Sequence, residues 1–235
     1  MKLSVIIPVY NEEKTIEELL RKVDAVKIPG VEKEVILVDD CSKDGTQGVL
    51  KKLESRYKII YHEANKGKGS AVRSGLAAST GDVIIIQDAD LEYDPNDYGK
   101  LLKPIIDGET EVVYGSRFMS PKGKLKENDH FTYILHSVGN NILTALTNVL
   151  YGASLTDMET CYKVFTRKVL EDIQPLKAKR FDLEPELTGK ILKKKHKIKE
   201  VPVNYYSRDY HEGKKITWKD GIKASYYIIK YRITN

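Results

Sequence analysis

Three carboxylates crowd one short stretch, Asp88-Ala89-Asp90 followed by Glu92, directly after the apolar run Val83-Ile84-Ile85-Ile86-Gln87. Aspartates at i and i+2 can both meet one divalent cation where the chain turns, and hard cations such as Mg2+ take oxygen ligands from one or two carboxylates together with substrate phosphates. Asp88 or Asp90 could also cap a following helix, because residues 90–97 are rich in turn formers. Two earlier apolar runs end in the same way, in Pro8-Val9-Tyr10-Asn11-Glu12 and in Val38-Asp39-Asp40-Cys41-Ser42. One aspartate pair leaves the two readings level, and three acidic run-ends together favour the metal. The segment Asn65-Lys66-Gly67-Lys68-Gly69-Ser70-Ala71 has the look of a phosphate-cradling turn, but its next glycine is Gly75 and it lacks the P-loop order, so a plain turn before a helix fits it better.

These residues need a scaffold that gathers run-ends on one edge. Apolar runs of strand length recur at 3–9, 35–39, 58–61, 83–87, 112–114 and 200–205. Helical spacing fills 12–26, 46–56 and 68–79, for example Ile16, Leu19, Leu20 and Val23. Runs apolar on both faces, such as VIIIQ and VILVD, belong to a parallel sheet covered by helices on each side. Right-handed crossovers then bring the carboxyl ends of the strands to one edge, where ligands of open α/β sheets collect. After residue 117 the pattern changes to a Lys- and Gly-rich loop at 119–129, a long helix at 131–151, a short strand or turn at 162–165, a helix at 183–194 and a tail helix from 218.

Composition bounds the setting. A chain of 235 residues buries roughly 70–75% of its extended surface, enough for a sizeable core. Two cysteines, Cys41 and Cys161, are too few for a disulfide framework, and the apolar start is too short for a signal-peptide core, so a reducing, cytoplasmic setting is expected. No window reaches the roughly 18–20 uninterrupted apolar residues of a spanning helix; the nearest, 142–155, is broken by Thr144, Thr147, Asn148 and Gly152. The net charge of +5 is uneven: residues 1–117 hold 17 Lys and Arg against 21 Asp and Glu, the remainder 22 against 13. The basic half suits an anionic partner or a solvated face. No recognised nucleic-acid motif accompanies it, and no nucleic-acid partner is expected.

VIIPVYNEE, VDDCSKDGT, NKGKGSAVRSG, GDVIIIQDADLE and YGSRF, in this order and spacing, resemble the GT-A domain of inverting family 2 glycosyltransferases, and within it the dolichyl- or polyprenyl-phosphate hexosyltransferase branch. The resemblance runs over about residues 3–217. It implies a single catalytic domain over 1–235, with a nucleotide-sugar half (1–117), an acceptor half (118–217) and an amphipathic C-terminal helix (218–235). The implied fold is α/β, a Rossmann-like, mostly parallel sheet sandwiched by helices, with acceptor-side helices at the C-terminal end. By the same resemblance Pro8, Tyr10, Glu12 and Asp40 line the base and ribose pocket, and Val38, Lys68 and Ala89 belong to the nucleotide-sugar contacts. Asp88 serves the ribose or the metal shell, and Asp90 with Glu92 holds Mg2+ or Mn2+. Arg117 faces phosphate groups, and Arg208, Lys214 and Lys215 close over the diphosphate. The acceptor segment from Thr156-Asp157 reads Glu159-Thr160-Cys161-Tyr162-Lys163 where mannose-transferring members have Ser-Gly-Phe, and the interval from Arg208 to Gly213 is about two residues longer.

The implied donor is a nucleotide sugar of the GDP-mannose or UDP-glucose class, and the implied acceptor a lipid phosphate, which is anionic near pH 7 without help. Asp90, Arg117 and Asp157 are the catalytic candidates. For a lipid phosphate, Arg117 and the Lys122, Lys124, Lys126 loop would matter and Asp157 would orient groups. A saccharide or protein hydroxyl would instead need a general base, and Asp157 is the candidate. The mixed apolar, aromatic and basic tail at 222–233 suits either a helix in a membrane interface or one packed on the domain. Peripheral membrane contact at the cytoplasmic face is expected, with a membrane subunit as a possible partner.

Overall fold

The computed structural model describes residues 1–119, 130–206 and 218–234, with side chains in 1–119, 138–206 and 221–234. Its centre is a seven-stranded sheet of β1 (Lys2–Val9), β2 (Glu32–Asp39), β3 (Lys58–Tyr61), β4 (Val83–Ile86), β5 (Val112–Ser116), β6 (Lys163–Thr166) and β7 (Ile198–Pro202). The spatial order is β3-β2-β1-β4-β6-β5-β7. β1 pairs in parallel with β2 and β4, β2 with β3 and β5 with β7, whereas β6 runs antiparallel between β4 and β5.

The sequence pattern explains these elements. β4 is Val-Ile-Ile-Ile and β5 Val-Val-Tyr-Gly-Ser, every residue buried, so both faces of the sheet are covered. Helix α1 (Ile16–Ala25) buries Ile16, Leu19, Leu20 and Val23, the i, i+3, i+4, i+7 stripe of one face. Short α2 (Thr46–Lys51) follows β2, and α3 (Lys68–Ala78) packs across β1 and β2. Helix α4 (Tyr98–Ile106), which buries Tyr98, Leu101 and Leu102 at helical spacing, and the short α6 (Arg167–Asp172) are absent from the sequence-based reading. Towards the C-terminal end, α5 (His130–Tyr151), α7 (Leu183–Lys193) and α8 (Trp218–Ile233) pack on one another.

Three expectations change. The last strand lies at Ile198–Pro202 rather than 200–205, because its pairing with β5 ends at Pro202. The helix expected over 46–56 stops at Lys51 and continues as turns. The piece expected near 162–165 is a full member of the sheet, β6, whose opposite direction breaks the rule that every strand's carboxyl end meets one edge. β1 has β2 on one side and β4 on the other, so the crossovers diverge between β1 and β4, the kind of place where open α/β sheets leave a crevice.

At the entrance to α3 the chain passes extremely close to the loop before α7. Gly67 has φ 92° and ψ 162°, a backbone region essentially reserved for glycine. A Cβ there would stand 2.5 Å from the Lys179 carbonyl oxygen, and one on Gly69 would stand 2.9 Å from the Ala178 carbonyl. Gly67→Ala is therefore expected to lower stability by about 2–4 kcal/mol, from backbone strain and overpacking together. Urea unfolding of both proteins measures it as a shift of midpoint at unchanged slope.

Candidate active site

A cleft of about 420 Å3 opens where the ends of β1 and β4 diverge. Pro8 lines it from β1, Tyr10 and Glu12 from the turn after β1, Asp40 from just past β2, Gly67 and Lys68 from the entrance to α3, and Asp88, Ala89, Asp90 and Glu92 from the turn after β4. Arg117 follows β5, and Glu159, Arg180, Glu184 and Tyr205 come from later in the chain. Most of the expected nucleotide-sugar residues are thus brought together. Val38 is not: its side chain is fully buried in the core one residue short of the end of β2 and does not reach the cleft. Arg208, Lys214 and Lys215 lie outside the described residues, as do Lys122, Lys124 and Lys126.

The Asp88–Glu92 turn is not a helix cap. The next helical turn, Pro95–Asp97, is capped by Asp94, whose side chain accepts the Asn96 N–H at 3.0 Å. Asp90 Oδ1 accepts the Glu92 N–H at 3.1 Å, and Leu91 takes a positive φ of 64°, bending the chain so that Asp88, Asp90 and Glu92 all border the cleft. Tyr205 donates its hydroxyl to Glu92 Oε2 at 2.9 Å.

Asp40, which borders the cleft, also organises the loop. Its Oδ1 lies 2.7 Å from His62 Nδ1 and accepts the Lys66 N–H at 2.9 Å; its Oδ2 accepts the Gly67 N–H at 2.7 Å. The amides of the glycine-rich turn therefore embrace a carboxylate of the chain itself, and the turn is not a phosphate cradle. Lys68, one residue on, points into the cleft and bridges Asp88 Oδ1 at 2.9 Å and Glu184 Oε1 at 3.2 Å. Burial opposes its charge, but Asp88 and then Glu184 outweigh that and hold the ammonium well above its ordinary pKa.

Arg117 and Asp157 form a two-pronged pair, Nε to Oδ2 and Nη2 to Oδ1, both at 2.7 Å, with the Arg117 N–H adding a third bond to Oδ2 at 3.0 Å. The Arg117 guanidinium also lies 5.2 Å from the Tyr205 ring centre. Asp157 is wholly buried and does not border the cleft; its own N–H is held by Glu200 Oε1 at 3.0 Å. The expected base is thus beneath the wall and the expected phosphate-facing arginine is in it.

Glu159 and Glu184 are functional candidates that sequence reasoning missed. Lys163, itself buried, donates to the Met158 carbonyl at 2.9 Å and to that of Thr160, pinning the backbone on either side of Glu159. Tyr93 accepts the Cys161 N–H at 3.1 Å from beneath. Burial and the charge of Glu184 push the Glu159 carboxyl up to about 7, against the pull of Lys163 and Arg117. The available signal for Glu184 was a helix, α7, nearly all of whose first two turns is buried despite holding two glutamates. Glu186 is fully explained: it accepts the Lys177 N–H at 2.9 Å and the Ala178 N–H at 2.6 Å, fixing the loop that leads to α7.

The Glu159 shift fixes a pH dependence. Between its ordinary 4.5 and about 7 the folded chain binds a proton that the unfolded chain has lost, so stability falls as pH rises through this window and the penalty is complete above it. Glu159→Gln removes the penalty. Its stability relative to wild type is expected to rise by on the order of 1–3 kcal/mol between pH 5 and pH 8, read from urea midpoints at each pH.

Comparison with known proteins fits this geometry. The glycosyl transferase family 2 pattern matches residues 4–174. The chain is 30% identical over 248 residues to the UDP-N-acetylglucosamine–dolichyl-phosphate N-acetylglucosaminyltransferase of Methanococcus voltae, covering 97% of this chain and 95% of that one. It is 33% identical over 217 residues to the dolichol-phosphate mannosyltransferase of Pyrococcus furiosus, covering 91% of this chain and 59% of that one. A solved structure of glucosyl-3-phosphoglycerate synthase from Mycobacterium tuberculosis, in complex with Mn2+, uridine diphosphate and phosphoglyceric acid, superposes with a TM-score of 0.71 at 19% identity, over 100% of this chain and 79% of that one. That likeness places the fold with the GT-A architecture. From the first strand to the helix that follows β6, the matched residues are those that build the sheet and most of the cleft, and the chain belongs to glycosyl transferase family 2.

Proposed function

We propose that the chain transfers a hexosyl group, with inversion, from a nucleoside diphosphate sugar to a polyprenyl or dolichyl phosphate. The observation that carries the acceptor is the Arg117–Asp157 pair. A hydroxyl acceptor needs a base that can reach it and take its proton, but Asp157 is buried with both oxygens engaged by Arg117. A phosphate monoester is anionic already and needs a cation, which Arg117 supplies at the cleft wall. The two archaeal relatives carry names of the same acceptor class.

The donor end is read from the acidic turn. Asp90 and Glu92 would hold Mg2+ or Mn2+, with Asp88 kept in place by Lys68 and directed to the metal shell or ribose. The donor set is all oxygen, as a hard cation requires. Among the described residues no three His, Cys, Asp or Glu groups converge as an all-protein metal cage, and a cation that keeps water and substrate phosphate ligands needs only one or two carboxylates. When bound, the cation supplies charge stabilisation for the departing diphosphate. Pro8, Tyr10, Glu12 and Ala89 line the nucleotide end, and Arg208, Lys214 and Lys215 complete the reading as cations over the diphosphate. The fold is read as one catalytic domain.

Helix α8 supports peripheral contact with a membrane. Ile222, Tyr226, Ile229 and Ile233 are exposed and recur at helical spacing on one face, while Ala224, Ile228 and Tyr231 on the opposite face are buried. Lys223, Lys230 and Arg232 flank the exposed stripe, and Ile142 and Val149 on neighbouring α5 are exposed as well. No helix among the described residues is long and apolar enough to cross a membrane.

Incubating the protein and a divalent cation with a panel of nucleotide sugars, against both a polyprenyl phosphate and hydroxyl acceptors, tests the reaction. Sugar is expected on the lipid phosphate only, with Asp90→Asn lowering kcat by roughly 1,000-fold; transfer to hydroxyls alone would overturn the lipid-phosphate reading. Sedimentation with vesicles tests the surface. Binding to anionic vesicles is expected to weaken with salt and to fall by about tenfold in Ile229→Glu, since one buried apolar side chain contributes about 1.5–3 kcal/mol.

A further inference from the structure

Glu159 and Glu184 each keep one carboxylate oxygen, Oε1 and Oε2 respectively, buried and without a hydrogen-bond partner, and both residues line the cleft. Glu184 is only 6% exposed. An acceptor left unmatched in the interior costs about 1–3 kcal/mol, more when charged, and the surroundings do not need it to be left so. Lys68 is already held twice by Asp88, at 2.9 and 3.1 Å, and takes only the other oxygen of Glu184. Two residues away Glu186 shows that the same helical turn can satisfy a buried carboxylate completely.

The chemistry of the vacant positions selects the partner. Two carboxylates repel phosphate and match a group that brings hydrogen-bond donors without negative charge. On a nucleotide sugar such donors are concentrated on the pyranose ring, whose adjacent hydroxyls suit a pair of acceptor oxygens. The cations and acidic turn that suit the diphosphate, Lys68, Arg117 and Asp88–Glu92, border the same cleft, so one ligand can meet both sets. The elevated carboxyl of Glu159 adds versatility, since a protonated member can also donate.

We propose that Glu159 and Glu184 form a carboxylate cradle that accepts hydrogen bonds from ring hydroxyls of the transferred hexosyl group and so determines which sugar the cleft takes. This rests on the nucleotide-sugar reading above. Each glutamate is held by a separate device, Glu159 by the Lys163 clamp on its flanking carbonyls and Glu184 by Lys68.

Calorimetric titration of the full chain with UDP, GDP and their hexose conjugates, in Mn2+, separates sugar contacts from nucleotide contacts. Glu159→Gln, Glu184→Gln and the charge-preserving Glu184→Asp are compared with wild type. Affinity for the nucleoside diphosphate is expected to hold within about twofold, while affinity for the preferred conjugate falls by about tenfold or more. Conjugates lacking one ring hydroxyl should reproduce that loss in wild type and add little further loss in the variant, the non-additivity of a direct contact. Equal weakening of the diphosphate and its conjugate, or no weakening of either, would overturn the cradle while leaving the nucleotide-sugar reading intact. Failure of wild type to bind any of these nucleotides would sink that reading and the cradle with it.

Discussion

The ammonium of Lys68 is the interaction on which the cleft depends. Asp88, Asp90, Glu92, Glu159 and Glu184 all line one crevice, and so many carboxylates in a partly dehydrated space repel one another. Lys68 joins the acidic turn after β4 to the first turn of α7, two elements nearly a hundred residues apart in sequence. Its position is set by the Gly67 turn, which is folded around Asp40. A cation delivered by one loop thereby allows the carboxylates of two others to coexist.

Arg117 and Asp157 repeat this logic at the other wall. Breaking a buried pair by deleting one member costs about 3–5 kcal/mol, because the remaining charge is left unmatched. The pair ties the end of β5 to the loop carrying Glu159, and Glu200 at β7 holds the same loop from behind. Tyr93 packs tilted against Tyr162 and edge-on against Tyr205, with ring centres 4.7 and 5.2 Å apart, between the acidic turn and this loop. Side chains that touch a ligand therefore rest on others whose bonds are all internal, which is how a site keeps its geometry before a ligand arrives.

What could be read in the sequence follows from the range of the interaction involved. Asp40, Asp88 and Asp90 were legible because each terminates an apolar run, and the α/β alternation gathers such ends on one edge. The helix-cap alternative at Asp88 and Asp90 was resolved only by seeing Asp94 in that role. Val38 illustrates the opposite error: adjacent to a strand end, it is still in the core, because α3 covers it where Gly75 packs against its side chain. Glu159 and Glu184 were illegible as a pair because their relation depends on tertiary packing across Lys163 and Lys68. The antiparallel β6 was ambiguous at four residues, a length at which strand and turn look alike.

The placement of β6 also orders events in time. It is the only described strand that separates β4 from β5, and it comes from residues 163–166, well after both neighbours in the chain. On a ribosome, the first five strands are therefore complete while the facing edges of β4 and β5 still lack their partner. Long-range pairing of this kind raises contact order and slows folding, and open edges are sites of mispairing while they last. For this molecule, the inner edges of β4 and β5 are joined only when the segment bearing Asp157 and Glu159 has emerged, so that joining and the placing of this part of the cleft wall are one step, and β7 then covers the remaining edge of β5.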